Sequence, residues 1–508
     1  MKNLSKNRIF RKIMNPFFNT EELKIYGQKA LNLAADSYDN LEKFDVLPKI
    51  EPGAIRNALP TAAPEKGESF DDILKDTEKI ILPNLTQWQH PNFLAYFPSN
   101  TSHAAIIGDI IASTFNTPGF TWIASPAATE LENVVCDWIV QMLGLPEKFL
   151  LKNKGGGMIS NTIGDSLFLS VHAAKYRKMK ELGIDFKDER ILKFVGYYPQ
   201  TAHSQHIKAL LLKDIPYSRE IGVVWDEKTQ NYTVDLDHLT KTLEEDVKNG
   251  LIPFWFGATF GTTSSCSIDP FVDIIKILKP YNMWINVDAA YAGSALVCPE
   301  FRDLAKGIED VDSFVVNFAK WNMATMPGAL FFVGDRYLYN EAFAGKNAQY
   351  HINPEYLKNK FTNEHDVTDY KDWQIGLGRK FNSLKFWFLI RSQGVEGFRS
   401  QIRTKVDLAK KFEALVLSEP RIKLFCKTTF GLVCFRIVKD KEGKEYTLDE
   451  SNAEGKRIVD EINKEGKFHV VGSTINKTYF VRVAICSHIT EYPHLEAFFK
   501  RFCELLNA

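Results

Sequence analysis

One lysine lies in a part of the chain whose apolar residues otherwise predict a buried core. Lys320 lies between two apolar, strand-like runs, 314–318 and 329–333, in the stretch "DSFVVNFAKWNMATMPGALFFVG". Lysine is among the residue types that are least often buried. Such a side chain either extends its ammonium to the surface or serves chemistry that needs a partly desolvated amine. Lys320 is therefore a candidate catalytic amine.

An aspartate ends another apolar run. In "INVDAAYAGSA", Asp288 follows apolar residues and precedes small ones. A carboxylate here can hold a protonated ring nitrogen, and Ala290 would let a flat ring approach the backbone. The alternative is an aspartate that caps a helix or shapes a turn, and this stretch alone does not separate the two.

A third feature suits a phosphate. The segment "NKGGGMISNTIGDSLFLSVHAAKYRKM" predicts a glycine-rich turn leading into an amphipathic helix that begins near Thr162. The free N–H groups and the positive dipole end of such a helix attract an anion. Taken alone the signal is weak, because most glycine runs are only turns.

Two further side chains can move protons. His203, in "QTAHSQH", follows a predicted strand and could stack on an aromatic cofactor or relay protons, although a lone histidine is more often structural. Tyr356 lies in the polar stretch "HINPEYLKNKFTNEHDVTDYKDWQ", which predicts a mobile loop. Its alternative is an exposed anchor without a chemical role.

Together these groups match one cofactor. A phosphate cradle, an aspartate for a pyridinium and a lysine for a carbonyl are what pyridoxal 5′-phosphate (PLP) requires. The lysine reacts in its unprotonated form to give a Schiff base, and partial burial lowers its pKa toward that form. Imine formation also removes the cost of burying a charge, which explains how Lys320 can stand in apolar surroundings.

The elements that must position these groups alternate along the middle of the chain. Amphipathic helical patterns such as 235–250 and 270–281 separate short apolar runs at 193–198, 252–261, 283–293, 313–318 and 329–334. Such alternation predicts an α/β fold with a mainly parallel sheet covered by helices on both faces. Ligands in such sheets bind beyond the carboxyl ends of the strands.

Three regions follow from the pattern. Residues 1–102 predict a helical arm with Pro-containing links, which wraps around another part of the assembly rather than forming a core of its own. Residues 103–384 predict the large sheet domain. After a long helix over about 384–417, residues 385–508 predict a small α+β domain with antiparallel strands.

Composition narrows the class of protein. The 508 residues carry 63 basic and 63 acidic side chains, so the overall charge suggests neither a nucleic-acid partner nor another polyanion. Seven scattered cysteines without CxxC pairs favour reduced thiols in a cytoplasmic protein over disulfides or a metal site. The sequence contains no apolar run of about 18 residues, so no transmembrane helix is predicted. The basic start "MKNLSKNRIFRKIMNPFF" is compatible with an organellar transit peptide, but we favour a cytosolic extension.

Nearly the whole chain, from about Asn15 onward, resembles the aromatic L-amino-acid decarboxylases, the PLP-dependent group II family. The resemblance implies a PLP-dependent fold-type I enzyme that assembles as a homodimer. The motifs that carry it are "LTQWQHPNFLAYFP", "GFTWIASPAATELE", "ATFGTTSSCSIDP", "VDAAYAGSALVCPEFR", "INPEYLKN", "DYKDWQIGLGRKFNSLKFW" and "FVRVAICS".

By matching motif, the resemblance assigns roles to the site residues. Lys320 would carry the cofactor, Asp288 would pair with the pyridinium, and Ala290 and His203 would cover the two ring faces. Tyr356 would protonate the carbanion carbon. Thr263 would lie near the imine, Thr162, Ile163, Gly164 and Asn317 would hold the phosphate, and Trp88, Tyr96, Phe97, Pro98 and Phe120 would line the substrate pocket, partly from the partner subunit.

Two departures bear on the phosphate. The family has a histidine before the lysine, where this chain has Ala319, and a serine or cysteine where it has Gly164. Each lost hydrogen bond to a charged phosphate costs roughly 1.5–3 kcal/mol, which predicts PLP affinity about ten- to a hundredfold weaker per bond. The backbone amides at the helix start remain available.

The expected reaction is decarboxylation of an aromatic L-amino acid to its amine. An alternative is an aromatic acetaldehyde synthase, which uses oxygen, but such members tend to carry phenylalanine at the Tyr356 position or asparagine at the His203 position. A second alternative is a catalytically weakened member that serves as a binding partner. Gly378 lies where plant members tend to have glycine for indole substrates, which favours tryptophan over tyrosine, dopa and phenylalanine.

Overall fold

The computed structural model describes residues 18–344, 354–364 and 367–507. The first 17 of the 18 residues considered as a transit peptide, and parts of the segment around Tyr356, lie outside these ranges. All seven cysteines are unpaired. None of the helices in the described ranges is long and apolar enough to cross a membrane. These ranges also contain no group of three or more His, Cys, Asp or Glu side chains placed to hold a metal ion.

A mixed sheet of seven strands forms the centre of the molecule. Its strands are β1 (Gly156–Ser160), β2 (Phe194–Pro199), β3 (Tyr217–Ile221), β6 (Ile252–Thr259), β7 (Trp284–Asp288), β8 (Ser313–Asn317) and β9 (Ala329–Val333). They lie in the order β1-β9-β8-β7-β6-β2-β3. The strands from β8 through β3 are parallel to one another, and β9 is antiparallel to both β1 and β8. The predicted α/β fold with a mainly parallel sheet is confirmed.

Helices cover both faces of the sheet and form the arm. In chain order they are α1 (Thr20–Asp39), α2 (Ala54–Ala58), α3 (Phe70–Asp76), α4 (His103–Phe115), α5 (Pro126–Leu143), α6 (Ile163–Leu182), α7 (Gln205–Leu212), α8 (Leu236–Lys248), α9 (Phe271–Leu278), α10 (Phe318–Trp321), α11 (Arg336–Ala344), α12 (Lys360–Glu364), α13 (Ser383–Leu417), α14 (Leu448–Glu465) and α15 (Tyr492–Asn507). In α8 the residues Leu239 and Leu243, four apart, face the core.

The glycine run is not the turn that the sequence suggested. Gly156 and Gly157 belong to β1, which pairs with β9, and the turn comes later, at Asn161. Glycine is required here because neighbouring elements pack against the backbone: a Cβ atom at position 157 would stand 2.6 Å from the Phe332 ring. The expectation of a helix near Thr162 is confirmed, since α6 begins at Ile163 with Thr162 as its N-cap.

The C-terminal part is a second, antiparallel sheet. It contains β10 (Ile422–Leu424), β11 (Leu432–Ile437), β12 (Val471–Ile475) and β13 (Thr478–Ala484), in the order β10-β11-β13-β12, whereas β4 (Val223–Asp226) and β5 (Asn231–Val234) form a separate hairpin. The long helix α13 joins the two parts: Phe386 and Phe398 pack in the core of the large sheet, and Phe412 packs in the core of the small one. The domain boundary at 384/385 stays a prediction.

The first helix of the N-terminal arm, α1, buries little of its own surface. None of the residues of α1 is buried. Its Leu23, Ile25 and Leu31 are 51%, 55% and 40% exposed. Within the arm, Tyr26 stacks on Phe70 of α3 at 4.4 Å between ring centroids. An amphipathic helix whose apolar side chains are uncovered in this way is marginal by itself in water.

Candidate active site

A cavity of about 560 Å³ opens where the parallel strands end. Strands β6, β7 and β8 lie side by side, and their last residues Thr259, Asp288 and Asn317 all line it. This is the position expected for a ligand in a sheet of this kind. The other lining residues are Phe97, Thr162, Ile163, Gly164, Asp165, Phe168, His203, Gln205, Lys208, Leu212, Gly261, Thr263, Ala290, Tyr291, Lys320 and Ile375.

Lys320 lies in α10, the short helix directly after β8. Asn317 caps this helix by accepting a hydrogen bond from the N–H of Ala319 at 3.0 Å. Burial lowers the pKa of the Lys320 amine below the ordinary lysine value, although the Asp288 carboxylate opposes the shift. The larger fraction of unprotonated amine makes Lys320 a better nucleophile toward a carbonyl group.

Asp288 has one carboxylate oxygen fixed by the protein. Oδ1 accepts a hydrogen bond from the N–H of Ala290 at 3.0 Å. Among the described residues Oδ2 has no donor, and the side chain lines the cavity. Both alternatives therefore hold in part: the aspartate shapes the turn after β7 and still presents a free oxygen to a ligand.

His203 lines the cavity just ahead of α7. Its Nδ1 accepts a hydrogen bond from the N–H of Gln205 at 3.2 Å. Partial burial lowers the pKa of His203, and Lys320 lowers it further, while Asp288 opposes the shift. The ring is therefore neutral at pH 7 with its proton on Nε2, which suits a flat surface for stacking.

The start of α6 forms one end of the cavity. Thr162 Oγ1 accepts a hydrogen bond from the N–H of Asp165 at 3.1 Å. The preceding N–H groups of Ile163 and Gly164 have no partner within the helix, as is general for a first helical turn. Asn317 adds a side-chain amide to the lining of the cavity. This end is chemically suited to an anion.

Aromatic rings form another wall. Phe97 stacks on Tyr291 at 3.7 Å between ring centroids, and the Lys320 Nζ lies 5.7 Å from the Phe97 ring. Arg482 lies against the same ring at 5.3 Å and donates to the carbonyl oxygen of Ser264 at 3.0 Å. A flat apolar side chain would find van der Waals contact here.

These groups fit PLP. The amine of Lys320, the free Oδ2 of Asp288 and the amides at the start of α6 are the partners needed for an aldehyde, a ring nitrogen and a phosphate. Ala290, with its small side chain, leaves room for a ring between them. A cavity of about 560 Å³ lies within the usual size range of small-molecule sites.

Six of the residues expected in the site lie elsewhere in the single chain. Trp88 and Tyr96 stack on each other at 5.7 Å and are 39% and 48% exposed. Pro98 is buried, and Phe120 accepts a hydrogen bond from the N–H of Lys371, but neither lines the cavity. The remaining two are Gly378 and Tyr356.

Gly378 and Tyr356 line neighbouring cavities. Gly378 lines one of about 190 Å³, and Tyr356, which is 74% exposed, lines another of about 470 Å³. Both of these cavities share Ile375 with the central one, so they adjoin it. The central cavity of a single chain therefore does not include these two residues. Their expected roles require the adjoining cavities or a second chain.

Sequence reasoning missed several lining residues. Gln205 and Lys208 lie on α7, three residues apart and so on one face of the helix, and they follow His203 closely enough to have been found by that spacing. Phe168 on α6 and Ile375 reach the cavity only through the packing of distant segments. No local signal marks them.

Comparison with known proteins agrees with this geometry. The family model described as pyridoxal-dependent decarboxylase conserved domain matches residues 52–438. Tyrosine decarboxylase 2 of Narcissus pseudonarcissus is 39% identical over 486 residues, which cover 95% of this chain and 94% of that protein. Phenylacetaldehyde synthase of Arabidopsis thaliana is 37% identical over 491 residues, covering 96% of each chain.

A solved structure shows the same architecture. The crystal structure of Oryza sativa TDC with PLP and tryptamine superposes with a TM-score of 0.91 at 34% identity, covering 97% of this chain and 99% of that one. The chain therefore belongs to the aromatic L-amino-acid decarboxylase family of pyridoxal-dependent decarboxylases, and it is a carboxy-lyase that uses PLP.

Proposed function

We propose that this enzyme decarboxylates an aromatic L-amino acid to the arylalkylamine and CO2, with tryptophan preferred over tyrosine, dopa and phenylalanine. The observation that carries the proposal is one cavity that joins Lys320 and Asp288 to the aromatic wall of Phe97 and Tyr291. Purified protein should be tested with all four amino acids while amine, aldehyde and hydrogen peroxide are measured together.

Each residue has a separate task in this reaction. The chemistry that PLP would supply when bound is withdrawal of electrons from the substrate Cα, so that the bond to the carboxyl carbon can break. Lys320 would hold the cofactor through its amine, and the negative charge of Asp288 would keep the ring nitrogen protonated. His203 and Ala290 would hold the cofactor ring by its faces. Phe97 excludes water from the reacting carbon and packs against the substrate ring.

The site is completed by a second copy of the chain in this proposal. Trp88 and Tyr96 are exposed, Ile375 on the cavity edge is 71% exposed, and α1 buries none of its residues. On α4, Ile110 and Phe115 are 45% and 67% exposed. Uncovered apolar side chains on α1, on α4 and at the cavity edge support a homodimer whose site both chains form.

Tyr356 is the proton donor in this proposal, so replacing it should change the product. Tyr356→Phe removes the hydroxyl that returns a proton to the substrate carbon after CO2 leaves. We expect amine formation to fall by about 10²–10⁴-fold, the usual worth of general acid catalysis. With O2 and water, substrate should instead give aldehyde, CO2, ammonia and hydrogen peroxide, measured by chromatography and a coupled peroxide assay.

A mixed dimer tests which chain supplies this tyrosine. Combining Lys320→Ala chains with Tyr356→Phe chains gives one site with both Lys320 and Tyr356 only if the tyrosine crosses between subunits. Recovered amine formation would show that it does. Clean amine production by the Tyr356→Phe homodimer would reject the proton-donor role.

The aldehyde synthase reaction is the second candidate function. It is considered because the similar protein from Arabidopsis thaliana is a phenylacetaldehyde synthase. This chain retains both Tyr356 and His203, which supports decarboxylation without oxygen.

A weakened member that acts only as a binding partner is the third candidate. A yellow absorbance band that borohydride removes would argue against it, whereas protein that stays colourless in excess PLP would support it.

Substrate choice is tested at Gly378. A Cβ atom at this position meets no atom within 4 Å in the single chain, so Gly378→Ser should fold normally. If Gly378 faces the substrate of a second copy, the added side chain should lower kcat/KM for tryptophan relative to tyrosine by about 10–200-fold, the range for small steric changes in a pocket. An unchanged ratio would reject this role for Gly378.

A further inference from the structure

The terminal amide of Gln205 lies over the first turn of α6. A Cβ atom at Gly164 would stand 2.7 Å from Gln205 Oε1, a distance that Cβ atoms essentially never show, and 3.5 Å from Thr162 Oγ1. Both Gly164 and Gln205 line the central cavity. Gln205 thus occupies the space that a side chain at position 164 would need.

The fold positions the backbone of Gln205 beside this turn. Gln205 is the first residue of α7, and its N–H donates to His203 Nδ1 at 3.2 Å, so its backbone is tied to the ring that faces the cofactor. Among the described residues its side-chain amide has no hydrogen-bond partner. An amide at the cavity wall without a protein partner is available to a ligand.

We propose that Gln205 binds the phosphate of PLP, supplying the side-chain donor that Gly164 lacks. The inference rests on the proposed position of PLP in the central cavity, with its phosphate at the start of α6. Glutamine Nε2 carries two N–H donors, and rotation of the amide exchanges Nε2 with Oε1 without moving the group. In this proposal Gln205 supplies the hydrogen-bond donor that a polar side chain at position 164 would otherwise supply.

Charge at this end of the cavity favours the same role. Lys208, three residues further along α7, lines the cavity beside Gln205 and adds a positive charge for the phosphate. The Asp165 carboxylate also lines it and opposes an anion. A neutral donor at position 205 adds attraction without another charge, so the affinity lost through Gly164 is offset in part.

The test compares two ligands that differ only in the phosphate. Apo protein, wild type and Gln205→Leu, is titrated with PLP and with pyridoxal, and dissociation constants are measured by tryptophan fluorescence and equilibrium dialysis. Gln205→Leu keeps the size of the side chain and removes its donors. We expect PLP to bind about ten- to a hundredfold more weakly, with pyridoxal unchanged. Gln205→Ala serves as the second variant, and Gln141→Ala, an exposed glutamine near the end of α5, serves as the control.

Exchange of the pair provides an independent check. Gly164→Ser alone should weaken PLP binding because its Cβ meets Gln205, and Gly164→Ser with Gln205→Ala should restore much of the affinity. Equal loss of PLP and pyridoxal in the Gln205 variants would show a structural role and overturn the proposal. So would unchanged PLP binding in folded Gln205→Leu. These readouts measure cofactor affinity alone, so they are independent of which amino acid is decarboxylated.

Discussion

Replacing Lys320 with alanine is expected to lower amine formation by at least about 10³-fold. The covalent hold on PLP is removed, and a loss of this size lies within the about 10²–10⁴-fold that one catalytic side chain typically contributes. The variant should also lose the yellow absorbance band that borohydride abolishes, and dialysis should release PLP from it. Steady-state assays and spectra of the same samples measure all three.

The fold should tolerate this change. The Lys320 amine makes no ion pair among the described residues, and burial already disfavours its charged form. Lys306→Ala, at an exposed position, is the matched control and should keep full activity. Retention of the borohydride-sensitive band by Lys320→Ala would assign the covalent bond to another lysine and overturn the site described above.

The second large effect is expected at Asp288. Asp288→Asn keeps the size of the side chain and the acceptor for the N–H of Ala290, but it removes the negative charge that holds a proton on the ring nitrogen. We expect kcat to fall by about 10²–10³-fold, as for other losses of a fixed electrostatic partner. The KM should change much less, because Asp288 acts on the cofactor rather than on the substrate.

The charge can be separated from the packing. Asp288→Asn should still bind PLP through Lys320 and show an altered absorbance spectrum, whereas Asp303→Asn, at an exposed position, should behave as wild type. Activity of Asp288→Asn close to wild type would show that the carboxylate only shapes the turn after β7. That outcome would remove the pyridinium role from Asp288.

The chemistry of the site could be predicted because the residues that supply it lie at the ends of predicted strands and at the start of a predicted helix. Lys320 and Asp288 each follow an apolar strand, and strands of this kind were predicted close to their observed bounds. A helix begins next to Thr162 as expected, and the structure adds that Thr162 is its N-cap. Parallel strands bring their carboxyl ends to one edge, so the meeting of these residues followed from the predicted fold.

Other features depended on contacts between distant segments. The glycine run predicts a turn because glycine is common in turns, but Gly157 lies in a strand where the Phe332 ring leaves no room for a Cβ atom. Tyr356 and Gly378 match family motifs, yet in one chain they line adjoining cavities. A motif identifies a residue, but it does not show which cavity the residue reaches.

The chemical groups of the site and the helices and strands that carry them follow from the order of residues, because periodicity and apolar runs are properties of neighbouring residues. Tertiary packing, in contrast, places Gln205 over Gly164 and stacks Phe97 on Tyr291 within 5.7 Å of the Lys320 Nζ. These contacts join segments far apart in the chain, and their distances are set by how the helices and strands pack together.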